Sequence, residues 1–348
     1  MIISDANILN CDESLSSAWD QYLKTTPTSS FYHLYGWNRI NKAHFSHQVY
    51  NLAAVDNNNI IGVFPLVFIK SRLFGNILCS MPFVNYGGPC ANNSSIEKDL
   101  INAAINISKD KNIDYLEIRS KKIFDKALPT TKQKVSMSLE LNNDSNILLQ
   151  NFSRKHRKNI RRAYKENISV RSGTLELLDD FYLVLSDSWR NLGTPIYKKE
   201  YFETIINEFS INTKIFVCYL DNKFPIATAL NGYYKDTVEG MWLGTISRHK
   251  NIYSNYVLYW EMIKNACENN FKFFHLGRSS IESGSEQFKK KWNATQKQLY
   301  WQYYLNNQSN LPELNVTNPK YKLAIKTWRK LPIKLTTLFG PVLARNIP

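Results

Sequence analysis

Two stretches of this chain, roughly 160 residues apart, follow one plan, and that duplication constrains the fold more than any other feature. In the first, Val49–Val55 (VYNLAAV) runs through a turn at Asp56–Asn59 into Ile60–Ile69 (IIGVFPLVFI). In the second, Ile215–Leu220 (IFVCYL) runs through Asp221–Lys223 into Phe224–Tyr233 (FPIATALNGY). An apolar run, an Asp-Asn turn and a second apolar run form the pattern of a β-hairpin. Downstream, Ile96–Lys109 carries Leu100, Ala103, Ala104 and Ile107 at helical spacing and leads into Ile113–Ser120 (IDYLEIRS). Val257–Glu268 has the same character and leads into Phe271–Ser279 (FKFFHLGRS). Each copy reads hairpin, helix, then a short apolar strand ending in Arg-Ser. That order predicts an α+β (α/β) domain with a mixed, mostly antiparallel sheet.

A chain of 348 residues exceeds what one core usually supports, so two such domains are expected in tandem. The polar stretch Asn142–Asn146 (NNDSN) marks the boundary, giving domains at 1–143 and 144–312 and a basic tail at 313–348. Cys11, Cys79, Cys90, Cys218 and Cys267 are scattered without a C-x-x-C spacing, which points to neither a zinc site nor a disulfide framework; no metal is expected. The N-terminus lacks the basic and apolar regions of a signal peptide, and the apolar run Ile60–Ile69 is interrupted by Pro65 and too short to span a bilayer. A cytoplasmic protein is expected, peripheral at the inner face of the membrane if its tail reaches it.

The net charge of +15 is concentrated. If residues 152–167 form a helix, Arg154, Arg157, Lys158, Arg161, Arg162 and Lys165 share one side, and Phe152, His156, Ile160, Ala163 and Asn167 the other. Like charges on one face repel unless an anion screens them, so the face suits tRNA or a phosphorylated substrate; a solvated face or ion pairing between the domains is the alternative. The tail after Glu313 has seven Lys/Arg and no acid. There Asn318 is placed to cap a helix beginning at Pro319 and ended by Pro332, with Tyr321, Ala324, Ile325 and Trp328 on one face and Leu335, Leu338, Phe339, Val342 and Leu343 beyond. A contact with a membrane surface and a brace against the domains are both open.

Longer motifs then carry a family resemblance. Ser153–Val170 (SRKHRKNIRRAYKENISV) resembles the K-x-R-x-N-I-R-x-A-x-x-x-G-V segment that opens the second domain of FemAB-type proteins. Phe274–Trp292 (FHLGRSSIESGSEQFKKKW) is similar to the F-x-F-G-R-S…G-S-x-x-F-K-x-x-W stretch of the exosortase- and exopolysaccharide-associated FemAB branch. Trp37, Pro65-Leu66, Lys70-Ser71, Phe74-Gly75, Tyr86–Gly88, Gly193–Pro195 and the closing Asn318-Pro319…Trp328…Gly340-Pro341 fit the same pattern. The resemblance implies two tandem GNAT-like domains and amide-bond formation: transfer of an aminoacyl or acyl group to an amine on an envelope glycan precursor. It implies no cofactor beyond a co-substrate donor, aminoacyl-tRNA or acyl-CoA. Three departures stand out. The stretch Arg248-His-Lys-Asn-Ile-Tyr lacks the glycines with which CoA-dependent GNAT enzymes hold a pyrophosphate. Asn41 falls where a W-x-x-V-K lysine would follow Trp37, leaving Arg39 and Lys42 to supply a cation for substrate, with Tyr86 as a further substrate-binding candidate. Asn293 replaces the glycine of F-K-x-x-F-G, while Lys289 matches its lysine.

Acyl transfer to an amine needs positioning, a proton acceptor and donors for the developing oxyanion. The strand-like Thr237–Thr245 (TVEGMWLGT) places Gly240 and Gly244 where a bulge would expose backbone N–H groups. Beside them Glu239 is either the acceptor of the amine proton or a surface carboxylate. Arg278 is a candidate to bind phosphate or carboxylate, although its counterpart Arg119 in the first copy argues for a partly structural role. The resemblance makes Lys289 a candidate for donor contact or charge stabilisation. His156, His249 and His275 lack metal-ligand spacing and read as hydrogen-bonding or packing residues. The competing readings are an acyl-CoA-dependent N-acyltransferase and a non-catalytic RNA-binding protein.

Overall fold

The computed structural model describes residues 7–71, 74–312 and 319–347; the Asn318 cap and the side chain of Tyr321 lie outside the described residues. The first half of the chain runs β1 (Asn7–Asn10), α1 (Ser16–Thr25), α2 (Gly36–Phe45), β2 (Gln48–Asp56), β3 (Asn59–Ser71), β4 (Gly75–Cys79), β5 (Cys90–Ala91), α3 (Ser94–Asp110), β6 (Tyr115–Ser120), β7 (Thr130–Thr131) and β8 (Lys134–Glu140). It continues through α4 (Ser145–Asn151), α5 (Arg154–Tyr164), β9 (Ile168–Gly173), α6 (Leu178–Leu192), α7 (Lys199–Glu208), β10 (Thr213–Leu220), β11 (Phe224–Tyr234) and β12 (Thr237–Thr245). Then follow α8 (Ser254–Glu268), β13 (Phe273–Ser280), α9 (Gly284–Lys290), β14 (Thr295–Gln298), β15 (Tyr300–Leu305), α10 (Pro319–Trp328) and α11 (Ile333–Ala344).

Both predicted hairpins form. Asn57 and Asn58 in one turn, and Asp221 and Asn222 in the other, take the left-handed backbone that Asn and Asp tolerate best. The copies agree in a detail that composition does not show. Ile61 and Ile226, each the third residue of its returning strand, are extra residues bulged out of the ladder. In each copy a long helix then leads into a strand parallel to an earlier one, β6 beside β4 and β13 beside β12. These are two mixed α/β sheets in tandem, as the duplication predicts.

The chain divides into two compact units. One comprises Met1–Val135, Gln298–Pro312 and Asn346–Pro348, the other Ser136–Lys297 and Glu313–Arg345. The first unit's sheet has the order β1-β2-β3-β4-β6-β15-β7, with β5 on β3. Period-2 alternation sends Tyr50, Leu52 and Ala54 of β2 to a core with Leu100 and Ala104 of α3, while Ala53 joins Trp19 and Leu23 of α1 in another. The last long strand, β15, comes from the far end of the sequence to lie antiparallel on β6. Gln302, fully buried on it, accepts from the Phe124 and Asp125 amides and donates to the Asp125 carbonyl and the Thr130 hydroxyl.

The second unit's sheet runs β14-β8-β13-β12-β11-β10-β9. Its interior strand β11 is buried almost throughout, as expected when both faces are covered. Phe152 and His156 of the α4–α5 segment pack on Trp292, with the His156 ring 4.3 Å from the indole. Burial, with Lys291 nearby, pushes the His156 imidazole down to about 4, so it is neutral at physiological pH. It is a packing residue, as the sequence predicts. The tail packs on this same unit. Arg329 donates to the Leu192 carbonyl, and Gly340 lies so near Ile196 that a Cβ there would come within 2.9 Å of its carbonyl oxygen. No described helix is long and apolar enough to cross a membrane.

Replacing Gln302 with Leu strands two amides and a carbonyl in the first unit. An unfolding free energy lower by about 2–4 kcal/mol in urea titration is expected.

Candidate active site

The centre of the second unit is a place where two neighbouring strands stop pairing. β12 and β13 form a parallel ladder from Thr237–Phe273 to Glu239–His275, and there it ends, although both strands run on. On the other side of β12 the register to β11 shifts between Gly240 and Trp242, so Met241 is the bulged residue. Two glycines allow the approach just beyond the ladder. A Cβ on Gly240 would lie 3.0 Å from the His275 carbonyl, and one on Gly277, whose φ is +76°, would lie 2.9 Å from the Gly240 carbonyl. The expected bulge therefore forms at Gly240 and not at Gly244. Gly244 stays in register with Thr228, and its missing side chain admits Leu185 and Ser188 of α6.

Glu239, the last ladder residue of β12, is 2% exposed, which overturns its reading as a surface carboxylate. Its Oε1 lies 2.9 Å from Nδ1 of His275, directly across the ladder. A carboxylate on Nδ1 fixes that nitrogen as the donor and leaves Nε2 as the basic one. His275, read from the sequence as a hydrogen-bonding or packing residue, is indeed hydrogen-bonded, and this geometry makes it a functional candidate as well. Its signal is the His of FFHLGRS, which gains meaning only once β12 and β13 are aligned.

Lys289 projects from α9 and is 5% exposed. Its Nζ donates to the Gly277 carbonyl at 3.1 Å and to the Arg278 carbonyl at 3.0 Å. An ammonium has three protons, so one remains for a ligand. Burial, and secondarily the Arg278 guanidinium, pull its pKa from 10.5 down to about 7. Glu239, Arg278 and Lys289 thus gather on β12, β13 and α9, all within the second unit.

The basic helix also forms. Ser153 caps α5 by accepting from the His156 amide, and His156, Ile160 and Ala163 are its buried face. Arg154, Lys158, Arg161 and Arg162 are exposed, while half-buried Arg157 donates to the Gln150 carbonyl and Arg162 lies over the Tyr253 ring. The remaining candidates belong to the first unit. Arg39 is ion-paired with Glu13 and lies over Tyr35, Lys42 is exposed, and Tyr86 is buried edge-on to Tyr32 with the Lys121 ammonium over its ring.

The first unit's equivalent strands differ. Past the β4–β6 ladder the Ser80 amide still donates to the Glu117 carbonyl, and the Ser80 hydroxyl accepts from the Arg119 amide. Arg119, fully buried, is ion-paired with Glu117 at 2.5 Å and lies over Trp301. That arrangement is structural, whereas Arg278 at the matching position is only half-buried.

Comparison with known proteins agrees with this fold. Residues 152–290 match the family model described as "Acetyltransferase (GNAT) domain", and no curated protein matches the chain by sequence. Among solved structures, FemX superposes with a TM-score of 0.64 at 14% identity, over 92% of this chain and 100% of its own. L-PGS from Bacillus licheniformis gives 0.55 at 14% identity, over 92% and 98%. A tandem GNAT protein from the clavulanic acid biosynthesis pathway gives 0.55 at 9% identity, over 88% and 100%. At these identities the likeness is one of fold. The chain has a tandem GNAT-like fold, and the stretch of its second unit from 152 to 290 is similar to the acetyltransferase (GNAT) domain model.

Proposed function

We propose that this protein is an acyltransferase that forms an amide bond, transferring an aminoacyl group from aminoacyl-tRNA to an amine on a cell-envelope glycan precursor. The observation that carries the reading is the break in the β12–β13 ladder beside Met241, Lys289 and the Glu239–His275 pair. A bulge leaves a backbone N–H outside the ladder, and with the third Lys289 proton it can stabilise a developing oxyanion. His275, held by Glu239, accepts the proton of the attacking amine. The new C–N bond forms, the ester C–O bond to the tRNA ribose breaks, and the proton passes to the departing hydroxyl. Glu239 acts here through His275, as its positioning residue.

Two features support the aminoacyl donor. The exposed cations of α5 suit a phosphate backbone. The segment Ser247–Ile252, where CoA-dependent enzymes have a glycine loop, is a 3-10 turn without glycine, and Tyr253 takes the left-handed position that follows it. An acyl-CoA donor is the second reading, favoured by the description of the matched domain as an acetyltransferase. The names FemX and L-PGS of two structural neighbours fit work on envelope components, and the narrower exosortase-associated placement rests on the Phe274–Trp292 motif. The activity belongs in the cytoplasm, where charged tRNA is available.

Radiolabelled aminoacyl-tRNA, acetyl-CoA and long-chain acyl-CoA, offered in turn with membrane extract, should show transfer from aminoacyl-tRNA; transfer from a CoA thioester alone sinks the donor assignment. His275→Ala should lower kcat by about 100- to 10,000-fold, and Glu239→Gln should distort the pH–rate profile with less loss. Changing Arg154, Lys158 and Arg161 together to Gln should reduce the salt slope of tRNA binding by about 2–3, in binding isotherms at several salt concentrations.

The depressed Lys289 pKa also predicts a stability signature. The folded state disfavours the ammonium, so stability conferred by the neutral amine is complete above 10.5 and is lost as pH falls toward about 7. The difference in unfolding free energy between wild type and Lys289→Met should therefore be flat below pH 7 and change steadily from there to 10.5, in favour of wild type.

A further inference from the structure

The terminal helix α11 wears its amphipathicity inside out. Its buried face is made of small residues, Thr336, Gly340, Pro341 and Ala344, and it packs against α6 and Ile196 of the second unit. Its large apolar side chains point the other way. Leu335, Leu338, Phe339, Val342 and Leu343 are between 40% and 65% exposed and follow one another at helical spacing along one stripe. A helix that only braced a domain would bury the large residues and expose the small or polar ones. Contiguous exposed aliphatic and aromatic surface of this kind marks an interaction face.

The charge around the face indicates what covers it. Every charged residue between 319 and 347 is Lys or Arg. Lys322, Lys326, Arg329, Lys330 and Lys334, on α10, in the turn after it and at the start of α11, are all exposed. An apolar stripe flanked by cations matches the interface of an anionic bilayer, with acyl chains beneath and negative headgroups above. A second copy of the chain matches poorly, because a two-fold contact through the stripe brings each basic flank toward its like-charged mate.

We propose that α11 is a monotopic membrane anchor that lies in the headgroup layer of anionic phospholipid, with Leu338 and Phe339 inserted and the lysines of α10 and the α10–α11 turn on the lipid phosphates. The anchor stands apart from the acyl chemistry proposed above and would hold whichever donor the protein uses. Its effect is to confine the second unit to a surface on which a lipid-linked acceptor diffuses.

Flotation of the full chain with vesicles tests it. Wild type should float with vesicles of one part phosphatidylglycerol to three parts phosphatidylcholine, and much less with phosphatidylcholine alone. Leu338→Ser with Phe339→Ser should weaken binding at least tenfold while leaving the thermal midpoint nearly in place, because both side chains are more than half exposed. Lys326→Gln, Lys330→Gln and Lys334→Gln together should cost about a hundredfold and remove the preference for anionic lipid. Three results overturn the proposal: wild type that stays below the phosphatidylglycerol vesicles, serine variants that float as well as wild type, or a dimer in sedimentation equilibrium that those substitutions dissociate in the absence of lipid binding.

Discussion

A sheet normally gains by pairing every backbone group it can, so a central strand pair that parts midway has to be enforced. In the second unit the enforcement is local. The bulge at Met241 turns one strand, Gly277 takes a backbone conformation that disfavours other residues, and Gly240 lets the two chains approach without side chains between them. Two of the groups brought to that break are buried. The Lys289 amine and the Glu239 carboxylate are both removed from water, and each is held by hydrogen bonds that fix its direction. In such surroundings a modest charge acts strongly, and a transition state with new negative charge gains more than a ground state does.

The duplication shows how little needs to change for one copy to be a scaffold. The first unit has the same hairpin, the same bulged isoleucine and the same Arg-Ser strand ending. There the arginine turns inward to a glutamate two residues back and is covered by an indole. A buried ion pair of this kind contributes little net stability against an apolar filling, yet breaking it costs heavily because it leaves a charge uncompensated. The position is conserved in plan and opposite in use.

Much of the fold was legible because its signals are local. The Asp-Asn turns, the helix over 94–110 and the two-faced basic helix each follow from spacing within a dozen residues. The site was legible only in part. Lys289 came from a motif, and Gly240 from the cost of glycine in a strand. His275 stayed hidden because its meaning depends on Glu239, thirty-six positions away, and only strand alignment joins them. Burial of Glu239 was hidden for a related reason: alternation along one strand does not reveal which face of the sheet other elements will cover. The inverted face of α11 was hidden differently, since small and large apolar residues count alike in a helical pattern.

The placement of β8 and β15 has a consequence for synthesis. Each sheet borrows the strand beside its parallel pair from the other half of the sequence, β8 next to β13 and β15 next to β6. As the ribosome makes this chain, the amino-terminal sheet stays open on the edge of β6 until residue 305 has emerged. For most of translation an unpaired edge is on offer to other nascent chains, and a gene cut anywhere between the halves yields two fragments, each lacking a strand that the other holds.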